Sequence, residues 1–386
     1  MLSIVVRTAA AALFLAALQA ANAAAATPAE TRLESAVAQT IRPLMEKYAI
    51  PGMAVGIVTN GHAYVFNYGV ASKATGKRIG GDTLFEIGSV SKTFTATMAQ
   101  YAQIAGKLSL SNTASAYLPA LRGSAFDNVT LMNLGTHTPG GVPLQVPGDV
   151  TNEAQLMTYF KNWKPAYAPG TYRTYSNLSI GLLGVIVAKA MNEDFAALME
   201  GTLFPALGMK HSFITVPPTR MDDYAQGYTQ DGAPIRLTLG VLGREAYGVR
   251  TTAGDLVRYL EANMRMLDLD PNVQRAILET HTGYYQVGGM TQDLIWEQYA
   301  YPADLETLLA GNSAKILFDP NPVVRLDPPS PPADAVLINK TGSTNGFGTY
   351  LAFVPAKKFG IVLLANKSYP IDARVTAAYA IMTHLP

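Results

Sequence analysis

Residues 335–365 read AVLINKTGSTNGFGTYLAFVPAKKFGIVLLA. Three apolar, β-branched or aromatic runs stand out: Ala335 to Lys340, Phe347 to Val354 and Phe359 to Ala365. Each has the length of a strand, and turn-forming residues separate them, which predicts consecutive strands. Working outward, Ala373 to His384 has a helical pattern, and the Pro-rich stretch Pro320 to Pro332 reads as a surface connection. Near the other end, Met53 to Val58 and Ala63 to Tyr68 are two similar runs joined across Asn60-Gly61, a strong tight-hairpin signal. Before them, Leu33, Val37, Ile41, Leu44 and Met45 fall on one face of a helix over Thr31 to Tyr48, which Pro43 interrupts. Ser89 to Ala105 reads as a helix with Lys92 as its only charge, which predicts burial. From about 107 to 220 the patterns are mostly helical, separated by Pro/Gly loops such as Thr138 to Pro143, and Gly254 to Met266 is a further helix.

Strands at both ends with helices between them predict an α+β fold, an α/β-type sandwich. An antiparallel sheet built from both termini is flanked by helices, and a mainly helical lobe is inserted. The expected organisation is a single catalytic domain over 24–386, with a sheet lobe from about 24–100 and 225–386 and a helical lobe at about 101–224.

The 386 residues carry 29 Lys+Arg against 28 Asp+Glu, a net charge of +1. So even a balance argues against nucleic acid as a partner. A hydrophobic share of 49% excludes a largely disordered chain. The absence of Cys excludes disulfides, thiol nucleophiles and Cys-based metal sites. Met1 to Ala23 reads as a secretory signal: Arg7 is its positive region, Ala9 to Leu18 its apolar stretch, and Ala21-Asn22-Ala23 a small-x-small cleavage site. The expected product is soluble, exported to the periplasm, unattached to membrane and monomeric.

Three short motifs could carry chemistry. In Gly88-Ser89-Val90-Ser91-Lys92, Ser89 and Lys92 are three apart, which on a helix puts both on one face. A buried Lys with a lowered pKa can take the proton that keeps a Ser hydroxyl a weak nucleophile. About one Ser-x-x-Lys is expected by chance at this length, so the tetrapeptide alone reads as readily as a helix cap beside a solvated Lys. In Tyr175-Ser176-Asn177, a Tyr near cationic Lys can move toward phenolate and act as a base, and Asn can donate to a substrate carbonyl. Lys340-Thr341-Gly342 ends an apolar run, where a strand edge can offer a cation and a hydroxyl to a carboxylate. There Gly342 is expected to let a substrate backbone approach closely. The five His residues show no metal-binding spacing. No metal or cofactor is expected.

The combination decides more than any part. Ser-x-x-Lys, a central polar triplet ending in Asn, and Lys-Thr-Gly form the active-site set of β-lactamases and penicillin-binding proteins. With Tyr-x-Asn in the middle, the sequence resembles class C β-lactamases from about Thr31 to the C-terminus. The likeness includes the blocks Leu84 to Phe94, Pro143 to Pro147, Glu245 to Gly248, Leu309 to Lys315, Lys340 to Gly348 and Leu364 to Pro370.

The resemblance implies a β-lactamase/transpeptidase-like fold and a serine hydrolase that opens the β-lactam amide of cephalosporins and penicillins, conferring antibiotic resistance. It implies Ser89 as the acylated nucleophile, Lys92 and Tyr175 as the proton-handling pair, Asn177 as a contact to the substrate amide, and Lys340 as electrostatic support for Tyr175. Thr341 would lie near the substrate carboxylate, and the backbone N–H groups of Ser89 and Ser343 would form the oxyanion hole. Gln145 and Tyr247 would line the side-chain pocket, and Asn366 the far side of the cleft. Three departures bear on substrate preference: Ile371 where many relatives have Asn, His137 where Tyr is frequent, and Leu239 where Pro is common. The alternatives are a DD-peptidase or esterase of the same superfamily and, from another class, a non-catalytic penicillin sensor.

Overall fold

The runs at the two ends of the chain meet in one nine-stranded sheet, antiparallel at every pairing. The computed structural model describes residues 28–384, so the signal-like segment Met1 to Ala23 lies outside the described residues. The strands are β1 (Gly52–Thr59), β2 (His62–Gly69), β3 (Gly283–Val287), β4 (Met290–Gln292), β5 (Glu297–Ala300), β6 (Val324–Ser330), β7 (Val336–Ser343), β8 (Gly348–Val354) and β9 (Phe359–Ala365). Their order across the sheet is β6-β3-β4-β5-β7-β8-β9-β1-β2. The N-terminal hairpin therefore joins the sheet through β9, with Met53 opposite Ala365 and Val58 opposite Gly360.

Strands β1, β8 and β9 are buried and largely apolar because both faces of the sheet are covered there. On β1, Met53, Val55 and Ile57 enter one core while Ala54 and Val58 enter the other. The same alternation divides Tyr350, Ala352 and Val354 from Leu351 and Phe353 on β8, the period of two that a pleated strand imposes. One core is closed by Leu33, Val37 and Ile41 of α1 (Pro28–Lys47) and by Val375, Ala378 and Ile381 of α6 (Ile371–His384). The other face carries α2 (Ser91–Ile104), α3 (Asn177–Met191), α4 (Gly243–Tyr247) and α5 (Ala253–Asn263). Helix α1 runs on across Pro43. The Asn60-Gly61 hairpin is formed, with both residues at positive φ.

Two stretches differ from the sequence expectation. Residues 283–300 form three strands of five, three and four residues that complete the sheet beside β7. The Pro-rich connection contains a strand, β6. It lies at the sheet edge, pairs only with β3, and shifts register between Arg325 and Ser330. An edge strand needs hydrogen bonds on one side only, so prolines are tolerated there.

Candidate active site

Ser89 stands in a single 3-10 turn, Gly88–Val90, which leads into α2. Gly88 has φ +50, and a Cβ on it would lie 2.6 Å from the Ser343 nitrogen and 2.5 Å from its oxygen. On the facing strand, a Cβ on Gly342 would lie 2.0 Å from the Ile87 oxygen. The two glycines thus let the turn that carries Ser89 press against the end of β7. This corrects one expectation: the room left by Gly342 is filled by the Ile87 carbonyl rather than held open for a substrate.

Lys92, the second residue of α2, is fully buried, which removes the reading as a solvated surface lysine. Its Nζ donates to Ser89 Oγ at 2.8 Å and to the Ala246 carbonyl at 3.0 Å. Burial first, and the Lys340 charge with it, lower its pKa to about 8 against the opposing pull of Tyr175 and Glu297.

Tyr175 precedes α3, whose N-cap is Ser176; its Oγ accepts from Ser179 N at 3.1 Å. Burial would raise the phenol pKa, but the charges of Lys340 and Lys92, with the Ser89 hydroxyl, outweigh it and bring the value below the ordinary tyrosine range. The two ammonium nitrogens are 5.1 and 5.2 Å from the ring centre. Among the described residues the phenol oxygen has no hydrogen-bond partner, yet Ser89 stands close enough to act on its ionisation. Asn177 opens α3; its Nδ2 donates to Gln145 Oε1 at 3.0 Å and its buried Oδ1 has no partner among the described residues.

Lys340 on β7 is also fully buried. Its Nζ lies 3.5 Å from Glu297 Oε1, an oxygen that also accepts from Arg173 Nη2 at 3.1 Å. Arg173 is anchored by Gln292 Oε1 at 2.5 Å and by the Ile316 carbonyl at 2.7 Å. Three buried cations, Lys92, Arg173 and Lys340, therefore face one carboxylate around the Tyr175 ring. A phenolate is favoured in such a setting. Sequence reasoning missed Arg173 and Glu297. They are 124 positions apart, and neither stands in a motif that would single it out.

These groups open into a cleft of about 440 Å³ lined by Ser89, Gln145, Tyr175, Asn177, Tyr247, Thr341, Gly342 and Ser343. Leu317, Phe318 and Ile371 add an apolar wall that the motifs did not indicate, apart from Ile371. Ser343 Oγ accepts from Arg374 Nη1 at 2.8 Å, and the same guanidinium nitrogen donates to the Gly342 carbonyl at 2.7 Å. Asn366 is the one candidate found elsewhere. It is fully buried, its Oδ1 accepts from Gly52 N at 2.8 Å, and its Nδ2 donates to the carbonyls of Val70, Ala71 and Gln226. With its amide wholly used in holding three chain segments together, it pins the fold and does not line the cleft.

The arrangement is that of a hydroxyl nucleophile backed by a low-pKa amine and an acidified phenol. A family model described as beta-lactamase matches residues 37–385. The chain belongs to the β-lactamase family. A β-lactamase of Pseudomonas fluorescens is 52% identical over 353 residues, covering 92% of this chain and 99% of its own. Among solved structures, a D-alanine carboxypeptidase AmpC from Burkholderia cenocepacia is 59% identical with a TM-score of 0.89, covering 92% of this chain and 99% of its own. A class C β-lactamase in complex with cefoxitin is 51% identical with a TM-score of 0.90, again covering 92% and 99%. This β-lactamase is a hydrolase of the class C type, the family that its motifs resemble. Its mixed fold, a large antiparallel sheet flanked by helices, is the one expected from the two ends of the sequence.

Proposed function

We propose that the enzyme hydrolyses the β-lactam amide of cephalosporins and penicillins in two steps, through an acyl-enzyme on Ser89. The observation that carries this reading is the 2.8 Å hydrogen bond from buried Lys92 to Ser89 Oγ at the cleft floor, beside the Tyr175 ring. Ser89 Oγ attacks the lactam carbonyl and its proton passes to the Lys92–Tyr175 pair, which titrates as a unit. Negative charge on the carbonyl oxygen is met by the backbone N–H groups of Ser89 and Ser343, a role supported by the contact between the Gly88 turn and Ser343. The pair hands that proton to the lactam nitrogen as its bond to the carbonyl carbon breaks, which leaves Tyr175 ready to accept another. Water then gives a proton to Tyr175 and its oxygen to the acyl carbon, and Ser89 leaves with its proton restored.

Asn177 and Gln145, joined by their own hydrogen bond, offer amide contacts to the acylamino side of the drug, and Tyr247 packs against its side chain. Thr341 and Ser343 face the substrate carboxylate. Because Arg374 donates to Ser343 Oγ, that hydroxyl keeps its own hydrogen for the carboxylate, a contact Ile371 cannot make. Lys340 keeps the field around Tyr175 positive.

Met1 to Ala23 supports export to the periplasm, where the enzyme would act as a monomer and confer antibiotic resistance. Among the described residues no helix is long and apolar enough to cross a membrane.

A second reading, a D-alanine carboxypeptidase, is favoured by the 59% identity to the Burkholderia cenocepacia protein of that name. Nitrocefin separates the two. Steady turnover over many enzyme equivalents is the predicted result. A burst of one equivalent that leaves a stable acyl-enzyme contradicts the lactamase reading and selects the peptidase.

A further inference from the structure

We propose that His137 is a positioning residue for Tyr175, clamping the chain on both sides of it so that the phenol oxygen stays within reach of Ser89, Lys92 and Lys340. The proposal rests on the role given to Tyr175 above.

The clamp has two parts. The His137 carbonyl accepts from Thr174 N at 2.8 Å, and the His137 ring Nδ1 accepts from Ser176 N at 3.2 Å. Main chain and side chain of one residue thus hold both neighbours of Tyr175. The imidazole lies against the phenol ring, with centres 4.4 Å apart and planes tilted by 43°. His137 is fully buried and has φ +59, a left-handed backbone that costs energy for a residue with a Cβ. A glycine would relieve that cost but would lose the Nδ1 acceptor and the ring contact.

The hydrogen bond fixes the protonation state. Nδ1 can accept from Ser176 N–H only while it carries no proton, so the ring is the neutral Nε2–H tautomer. An imidazolium would set two N–H groups against each other. The charged groups that face the ring are Arg173 beside Tyr175, Lys92 from α2 and Lys340 from β7. Burial first, then these three cations, hold the imidazole pKa well below its ordinary value, so the clamp persists across the working pH range.

The test compares wild type, His137→Phe, His137→Asn and Tyr175→Phe in nitrocefin hydrolysis from pH 5 to 10, with circular dichroism to verify folding. Phe keeps a ring but no acceptor. Asn tolerates positive φ and places an acceptor oxygen as many bonds from the main chain as Nδ1. For His137→Phe, kcat/KM is expected to fall between about ten- and a hundred-fold, the cost of a small misplacement. Its rising pH limb should move upward, because a phenol that drifts from two ammonium groups loses the charges that acidify it. His137→Asn should recover most of the rate and the wild-type limb.

A folded His137→Phe enzyme with wild-type kcat/KM and limb overturns the proposal. So does a loss equal at every pH, which marks general damage, and so does a His137→Asn enzyme no better than His137→Phe. Should His137→Phe not fold, 15N NMR of the wild-type imidazole decides. A neutral Nε2–H signal unchanged from pH 5 to 9 supports the clamp, and protonation at Nδ1 overturns it. Wild-type turnover by Tyr175→Phe refutes the role of Tyr175 itself. A crippled Tyr175→Phe enzyme beside an unmoved His137→Phe limb refutes only the role of His137.

Discussion

Lys92 gives up most of the solvation that an ammonium normally enjoys, and the Ser89 hydrogen bond is what that burial makes useful. Its folded pKa of about 8 lies below the ordinary 10.5, so the unfolded chain binds more protons between those values. Lys92 therefore destabilises the fold most fully below pH 8, and the penalty fades as pH rises toward 10.5. Replacing it by Met should slow acylation by about 10²–10⁴-fold, the usual worth of a positioned base. The same change should stabilise the folded enzyme at pH 7 by up to about 3 kcal/mol, with the gap closing toward pH 10. Urea titrations at the two pH values check this, and a less stable variant at pH 7 contradicts it. Residue types in order were legible in the sequence: Ser89, Lys92, Tyr175 and Lys340 were each chosen from short motifs, and the fold gathers them around one cleft. What the motifs could not contain was the support beneath them. The shared Glu297 oxygen links β5, β7 and the Tyr175 segment only after folding. Asn366 was misplaced because a sequence block gives a position along the chain but not the direction in which an amide points.

At the level of elements, the site depends on how closely the Ser89 turn meets β7. Gly342→Ala would drive a methyl group into the Ile87 carbonyl, a main-chain atom that cannot rotate away. The expected cost is about 1–3 kcal/mol, as for other overpacked positions, together with slower acylation because Ser89 and Ser343 are pushed apart. A variant with wild-type midpoint in urea and wild-type acylation would show that the contact is slack. The readable strands β1, β7, β8 and β9 are long and covered on both faces, so hydrophobicity marks them, while β2 is a largely exposed edge strand that its aromatic and β-branched run and the Asn60-Gly61 turn reveal. The short strands β4 and β5 place Gln292 and Glu297 on the face that supports the site, β3 puts Gln286 on the opposite face, and this polar content hid all three strands. Prolines hid β6, whose edge position makes them harmless.

Across the whole molecule, two cores share one sheet, and the catalytic groups lie where α2, α3 and β7 come together. We propose that the two lobes form one catalytic unit, since a single core runs from Leu183 and Phe204 to Ile338 and Val362. Acid sensitivity should have a source in that core. His281, hydrogen-bonded to Asn263 Oδ1 and packed against Trp296 and Phe353, is pushed by burial to a pKa of about 3. Its contribution to stability is present above pH 6.5 and is lost as pH falls toward 3, because only the unfolded chain takes up the proton. His281→Gln should weaken the fall in stability between pH 7 and 5 by about 2 kcal/mol. Unchanged pH dependence in urea melts would remove His281 from that role. Mass spectrometry of the intact enzyme mixed with penicillin tests the covalent bond to Ser89 most directly. A transient adduct of one penicillin is expected on wild type, located at Ser89, and none on folded Ser89→Ala; continued labelling of Ser89→Ala would remove Ser89 as the nucleophile.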